Sequence, residues 1–487
     1  MTLQKVLMPS LLVMACHACG AGADDQNGNN QGDPDSGTAP GAIDAAPGAI
    51  DAAPSVDAAG LAACVTPTDL GRGQQWVRDN EIFVSALKVQ QPSPSSQEVS
   101  DYFDSFHANA AHLWIDGLSA SAGAWSAAGK RFVAWTDSDG EATNGMVLGG
   151  AQGVNLPGRI GYQIGDEPRS MAAYLEIEDA IDVIRSADPE ALLIVNFTYQ
   201  ADEIDQFLAA YGANVDGDVI SYDRYSRSSS AYVTKEKFRA AGLAHDKPYW
   251  TYLRSYYGPG EGSSSASDMR WDAYTHMAYG YTGFTWFVYQ ILNTNDPHIG
   301  GVSFFASPGT LSATKTSAFA LAGQLNQEIQ VLGRTLTQLT STDVRYNAFN
   351  GLAQPEGTQS WSEGAGGDPY LTGVNQQGAL SESLIGFFTD DCAEQYFLVQ
   401  NPNHSGGSFP VDNESDLTIA LDFDFSGAPA STARTHVLAL DEVTGETKQI
   451  PLTSSGSETK GLSVTLPAGH GMLIKYDTGR PFVLQPE

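Results

Sequence analysis

The chain has 487 residues, more than one simple core accommodates, so two domains with additions are expected. It carries 25 Lys and Arg against 57 Asp and Glu, a formal net charge of -32. So acidic a surface repels phosphate backbones and anionic headgroups, which argues against nucleic acid as a partner and against membrane contact other than through a tether.

The first residues read as an export signal. Lys5 precedes a short apolar run, Val6 to Ala15, too short to span a bilayer. The run ends "LLVMAC", which resembles a bacterial lipoprotein signal and implies Cys16 as the acylated residue. Cys19 and an ordinary cleaved signal are the alternatives. A lipid-anchored place in the cell envelope is the corresponding expectation. Cys64 and Cys392 could pair in an oxidising compartment, and neither lies near a partner at metal-ligand spacing.

Residues 1–16 are thus read as the signal and 17–62 as a linker. The stretch Asp24 to Gly60 has no Lys, Arg or aromatic residue and repeats "PGAIDAA" at Pro40 and Pro47. Such a composition does not bury enough apolar surface to offset its ordering entropy, so it reads as an acidic tether.

From about residue 75 short apolar runs alternate with amphipathic stretches. Strands are expected at Ile82–Leu87, Leu113–Ile115, Phe132–Trp135, Ile160–Ile164, Leu192–Thr198, Val219–Tyr222, Tyr249–Leu253 and Phe284–Tyr289. "MAAYLEIEDAIDVIRSADPEA" is the clearest helix, and "SDMRWDAYTHMAYGY" is another. Eight such alternations predict an α/β (β/α)8 TIM barrel over residues 63–338. A doubly wound sheet is the runner-up, but no Gly-rich phosphate loop follows the first strand. After about residue 340 only strands and turns follow, among them "QYFLVQN", "DLTIALDFDF" and "GMLIKY". They predict an antiparallel β-sandwich over 339–487, packed on the barrel's flank. The turn "DEVTGE" reads as a solvated hairpin, since its carboxylates lack calcium-ligand spacing.

In such a barrel the chemistry lies at the carboxyl ends of the strands. In chain order these offer Lys88 and Gln90; Asp116; Trp135 and Asp137; Asp166 and Glu167; Asn196, Tyr199 and Gln200; Tyr222, Asp223 and Tyr225; Trp250, Arg254, Tyr256 and Tyr257; Trp286, Tyr289 and Gln290. No His pair for a metal and no Ser-His-Asp order appears, and no cofactor is expected. Carboxylates among aromatic rings suit carbohydrate: glycoside hydrolysis needs one protonated carboxyl group and a second carboxylate across the ring. Aromatic neighbours raise the first pKa by desolvation.

"GYQIGDEP", "VISYDRY", "KPYWTYLRSYY" and "MRWDAYTHMAYGYTGFTWFVYQ" occur in that order. Together they resemble bacterial TIM-barrel glycoside-hydrolase-like proteins, over roughly residues 80–330. "DEP" is also similar to the Asn-Glu-Pro of clan A glycosidases, which implies Glu167 as general acid/base. That clan usually places a nucleophilic glutamate at the end of strand seven. Here that strand ends Leu253-Arg254-Ser255-Tyr256, so Asp223, or Glu261 in the next loop, is the candidate second carboxylate. Asp166, Trp135, Asp137, Asn196, Tyr222, Tyr225, Trp250, Arg254, Trp286 and Tyr289 are the candidate sugar-binding residues.

Plainer readings stand beside these. Glu167 could pair with Arg169 or Arg254, Asp223 could cap a helix or pair with Arg224 or Arg227, Glu261 could be solvated, and the tryptophans could fill the barrel. Two other functions fit the same rim. One is a glycan-binding lipoprotein that lacks a nucleophile. The other is a polysaccharide lyase with Tyr256 or Tyr257 as base and Arg254 as charge neutraliser.

Overall fold

The computed structural model describes residues 64–65, 67–88, 94–113, 118–136, 156–200, 202–257, 264–290, 301–302, 304–305, 314–348, 353–377, 382–405 and 414–485. Eight parallel strands close into a barrel: β1 (Phe83–Lys88), β2 (Ala111–Leu113), β3 (Phe132–Thr136), β4 (Arg159–Asp166), β5 (Leu192–Thr198), β6 (Val219–Asp223), β7 (Tyr249–Arg254) and β8 (Gly283–Gln290). β8 pairs with both β7 and β1, which completes the ring. The TIM-barrel expectation holds, and β2 begins two residues before its expected start.

Helices α1 (Arg72–Asp79), α2 (Ser96–Ser100), α3 (Leu118–Ala127), α4 (Met171–Ala187), α5 (Ile204–Ala213), α6 (Ala231–Ala244), α7 (Ala266–Ala278) and α8 (Ser317–Leu336) are described around it. Serine caps three of them, Ser95 forming a capping box with Glu98 at the start of α2. Ser170 accepts from the Ala173 amide at the start of α4, and Ser265 forms a capping box with Asp268 at the start of α7. Pro168 therefore lies ahead of the α4 cap and not inside the helix.

Alternation along the strands sorts side chains into a lumen and an outer shell. At the amino-terminal end the lumen is apolar: Phe83, Val133, Ile160, Ile194, Val219 and Trp250 form one cluster. Trp250 stacks on Phe83, with ring centroids 4.4 Å apart and planes 8° apart. Gly283 makes room for this, because a Cβ there would lie 2.2 Å from the Trp250 ring. Trp76 of α1 packs on Trp250 from below.

The C-terminal region is antiparallel. Strands β9 (Thr340–Asn347), β10 (Leu371–Gln377), β11 (Ser383–Thr389), β12 (Gln395–Gln400), β13 (Leu417–Asp424), β14 (His436–Leu440), β15 (Thr447–Pro451), β16 (Thr459–Leu466) and β17 (Gly471–Lys475) form two sheets. One sheet runs β9-β11-β12-β17-β14-β15 and the other β10-β13-β16, each with a two-residue strand added at an edge. They enclose an apolar core that includes Phe387, Phe397, Ile419, Phe423 and Val464. "DEVTGE" makes a tight turn, with Asp441 accepting from the Val443 and Thr444 amides.

Helix α7 joins this region to the barrel. A Cβ on Gly386 would lie 1.9 Å from the Ala278 carbonyl, so β11 approaches the helix as closely as backbone allows. Arg270 donates to the Ala468 carbonyl, and His404 pairs with Asp268. Cys64 and Cys392 form a disulfide across 328 residues. Beside it Arg78 of α1 makes a bidentate pair with Asp391.

Candidate active site

The stretch "GDEP" ends β4 at the barrel's carboxyl-terminal mouth. Gln163 of β4 is level with Ile194 of β5, but Asp166 is level with Asn196, so β4 takes three steps where β5 takes two. This is a one-residue bulge. Without it, Asp166 would fall on the outer face. With it, Asp166 shares the inward face with Asn196. Gly165 sits at φ +64°, in the left-handed region that glycine enters without penalty. Glu167 follows at φ +44°, rare for a residue with a side chain, and its amide donates to the Asn196 carbonyl. Pro168 disfavours the right-handed helical region for the residue before it.

The turn and β6 bring three carboxyl groups around one amide. Asn196 Nδ2 donates to Asp166 Oδ1 at 2.9 Å and to Asp223 Oδ1 at 3.3 Å. Ser221 Oγ donates to Asn196 Oδ1 and fixes which way the amide faces. The Glu167 carboxyl is a close neighbour of Asp223. Burial pushes the Asp223 carboxyl well up, and the negative charges of Glu167 and Asp166 push it further. Asp223 is 7% exposed, so its charged form is disfavoured in a site where its neighbours are carboxylates. Arg169 bonds Glu167 Oε2 at 2.9 Å, and its side chain is 45% exposed. Arg224 instead bonds Ser230 and Thr234, and Arg227 bonds Asp272, so neither forms the ion pair considered for Asp223.

An aromatic wall stands beside the carboxyls. Trp135, Tyr252 and Tyr256 cluster with Leu87 and Val288, and Tyr225 and Phe287 pack against them. Tyr225 meets Tyr256 edge-on at 5.3 Å and stacks with Phe287 at 5.6 Å. Burial, then the charge of Asp223, raises the Tyr225 phenol well above its usual range. Arg254 lies over the Tyr256 ring and donates to the Tyr256 carbonyl. Arg224 lies 4.2 Å from the Tyr199 ring.

Of the residues expected at the site, Asp166, Glu167, Asn196, Asp223, Tyr225, Trp135 and Arg254 are at the mouth. Four are elsewhere. Trp250 belongs to the apolar layer at the opposite end, because alternation on β7 turns Trp250 and Tyr252 inward and Tyr252 is the one near the carboxyls. Tyr222 points outward, bonds His276 at 2.8 Å and stacks on Phe238. Trp286 also points outward, fully buried, and donates to Asn326 of α8. Tyr289 packs outside the barrel against Tyr102, Phe106 and Phe319. None of these four is a sugar platform. Glu261, Asp137 and Cys16, like Gln90 and Asp116, lie outside the described residues. Among the described residues no group of three His, Cys, Asp or Glu side chains is arranged to hold a metal ion.

No family model and no curated protein matches the chain. Solved structures do resemble it. A family 5 glycoside hydrolase from Bacteroides vulgatus has 12% identity and a TM-score of 0.50, covering 83% of this chain and 92% of that one. A second glycoside hydrolase has 11% identity and a TM-score of 0.49, with 82% and 94% covered. A family 27 β-L-arabinopyranosidase from Geobacillus stearothermophilus has 10% identity and a TM-score of 0.46, with 84% and 98% covered. At such identity the likeness is one of fold.

Proposed function

We propose that this chain is a glycoside hydrolase that cleaves a poly- or oligosaccharide with Glu167 and Asp223. The observation that carries the reading is the placing of Glu167 and Asp223 as neighbours at the mouth of a TIM barrel, with the Asp223 carboxyl pushed well up by burial and by the Glu167 charge. Asp223 then protonates the glycosidic oxygen, and Glu167, paired with Arg169, acts as the carboxylate nucleophile or base. These roles are the reverse of those implied by the resemblance of "DEP" to Asn-Glu-Pro. The two groups are close neighbours, whereas hydrolytic pairs stand roughly 5 Å or more apart, so sugar binding must part them. Tyr225, Trp135 and Arg254 supply contacts to the sugar.

Reducing-sugar release from a glycan panel by the full chain tests the activity. Glu167→Gln and Asp223→Asn should each lose about 100-fold or more. An aryl glycoside with a good leaving group needs no proton donor. Asp223→Asn should keep activity on that substrate while Glu167→Gln loses it; the opposite pattern would return the acid role to Glu167.

One observation favours a glycan-binding protein without catalysis: strand β7 ends in Arg254, where a clan A enzyme would carry its nucleophile. In that case no sugar is released and Glu167→Gln leaves glycan capture intact. An unsaturated, ultraviolet-absorbing product would instead support the lyase. The proposed location is the cell envelope, anchored through Cys16. Labelling with a radioactive fatty acid that disappears in Cys16→Ser checks it.

A further inference from the structure

Below the carboxyl groups the lumen has a polar layer to which the reading above gives no role. His112 of β2, Gln163 of β4 and Tyr252 of β7 meet there. Tyr252 Oη donates to Gln163 Oε1 at 2.7 Å, and His112 Nδ1 lies 3.5 Å from the same Oη. The phenol has one proton and gives it to Gln163, so a lone pair faces His112. The imidazole proton therefore sits on Nδ1, and Nε2 is left as an acceptor. Burial holds the ring neutral, with its pKa pushed down to about 3. The same bond from Tyr252 fixes the Gln163 amide, so its NH2 group is turned away from the phenol.

Both ends of this network are buried and meet no partner among the described residues: His112 Nε2, an acceptor, and Gln163 Nε2, a donor. The residues are 2% and 0% exposed. A buried polar atom left unpaired is costly, so one acceptor and one donor in the same layer suit a ligand that can satisfy them. A hydroxyl group suits either atom, since it donates and accepts at once. A ligand carboxylate would face the His112 lone pair close to Asp166 and Asp223. An ammonium would face the Gln163 donor.

We propose that His112, Tyr252 and Gln163 form a hydroxyl-recognition floor that selects an uncharged sugar ring over a uronic acid or an amino sugar. The inference rests on the carbohydrate reading above and deepens it, since it names the substrate class. It does not depend on whether bond cleavage occurs.

The test is calorimetric binding to the full chain carrying Glu167→Gln, so that hydrolysis does not interfere. The probes are glucose, galactose, xylose, arabinose, glucuronic acid, galacturonic acid and glucosamine. At least one neutral sugar should bind, at least tenfold more tightly than any charged one. Gln163→Met and His112→Phe should each weaken that binding about tenfold, the loss of one hydrogen bond. Gln163→Met strands the Tyr252 hydroxyl. The double variant Gln163→Met with Tyr252→Phe removes that too, and keeps the test valid if the single variant unfolds. Tighter binding of a uronic acid or of glucosamine overturns the proposal. So does neutral-sugar binding that is indifferent to these variants, which would assign the orphan atoms to trapped water. If no probe binds yet the wild type still releases sugar from the panel, the floor is wrong and the hydrolase reading survives.

Discussion

At the amino-terminal end of the barrel, Phe83 and Trp250 stack over a glycine within an apolar cluster. At the other end two carboxyl groups share one asparagine, and burial with the charges of Glu167 and Asp166 disfavours the ionised form of Asp223. The same eight strands supply both ends, so the difference lies in which side chains they turn inward. The lower end stabilises the fold. The upper end accepts unfavourable burial of carboxyl groups beside one another, which marks it as the candidate site.

The strongest way to break this contrast is to truncate the lower end. Trp250→Ala should cost about 3–5 kcal/mol of stability, read by denaturant unfolding, while the remaining folded protein keeps the proposed activity. A mutant that stays stable but loses turnover would place Trp250 in the site after all. The mirror experiment is Asp223→Asn, where about 100-fold or more in natural-substrate turnover should vanish, or about 2.7 kcal/mol of barrier. Next, Gly283→Val pushes a side chain into the Trp250 ring and should destabilise by about 1–3 kcal/mol, read as a lower melting temperature.

A subtler test sets stability against pH. The folded-state pKa of Asp223 is raised, so between the ordinary carboxylate value and the raised one the folded protein binds more protons than the unfolded chain. Stability from this group is therefore fully present below pH about 4 and is lost as pH rises through the folded pKa. Asp223→Asn should be more stable than wild type at neutral pH, with the gap closing below pH about 4. A gap that widens on acidification would mean that Asp223 is not buried against like charge. The smallest effect belongs to the bulge: Gly165→Ala should cost about 1 kcal/mol for its positive φ, measured by unfolding.

The barrel could be read from the alternation of runs because each strand is a short apolar segment between turn signals. Which residues face the lumen could not. Barrel strands are buried on both faces, so Trp250 inside, Trp286 outside and Tyr252 inside look alike in a hydrophobic pattern. The bulge at Gly165 adds a shift of one residue that alternation alone does not reveal. "GDEP" and "SYDRY" were readable because carboxylates at strand ends are unusual. His112, Gln163 and Tyr252 were missed, although the one glutamine inside the apolar strand "RIGYQIGD" was a signal available in the sequence. In the C-terminal region β9, "TSTDVRYN", and β10, "LTGVNQQ", escaped notice because their composition is largely polar. Their strand character comes from pairing with β11 and β13.

The Cys64–Cys392 bond has a consequence for how the molecule breaks. It closes a covalent ring that contains every barrel strand and, at its far end, strands β9 to β11. A single cut by a protease anywhere inside that ring leaves one molecule of unchanged mass apart from an added water. The nicked protein would migrate as one species until a reducing agent opens the ring, and only then separate into two fragments.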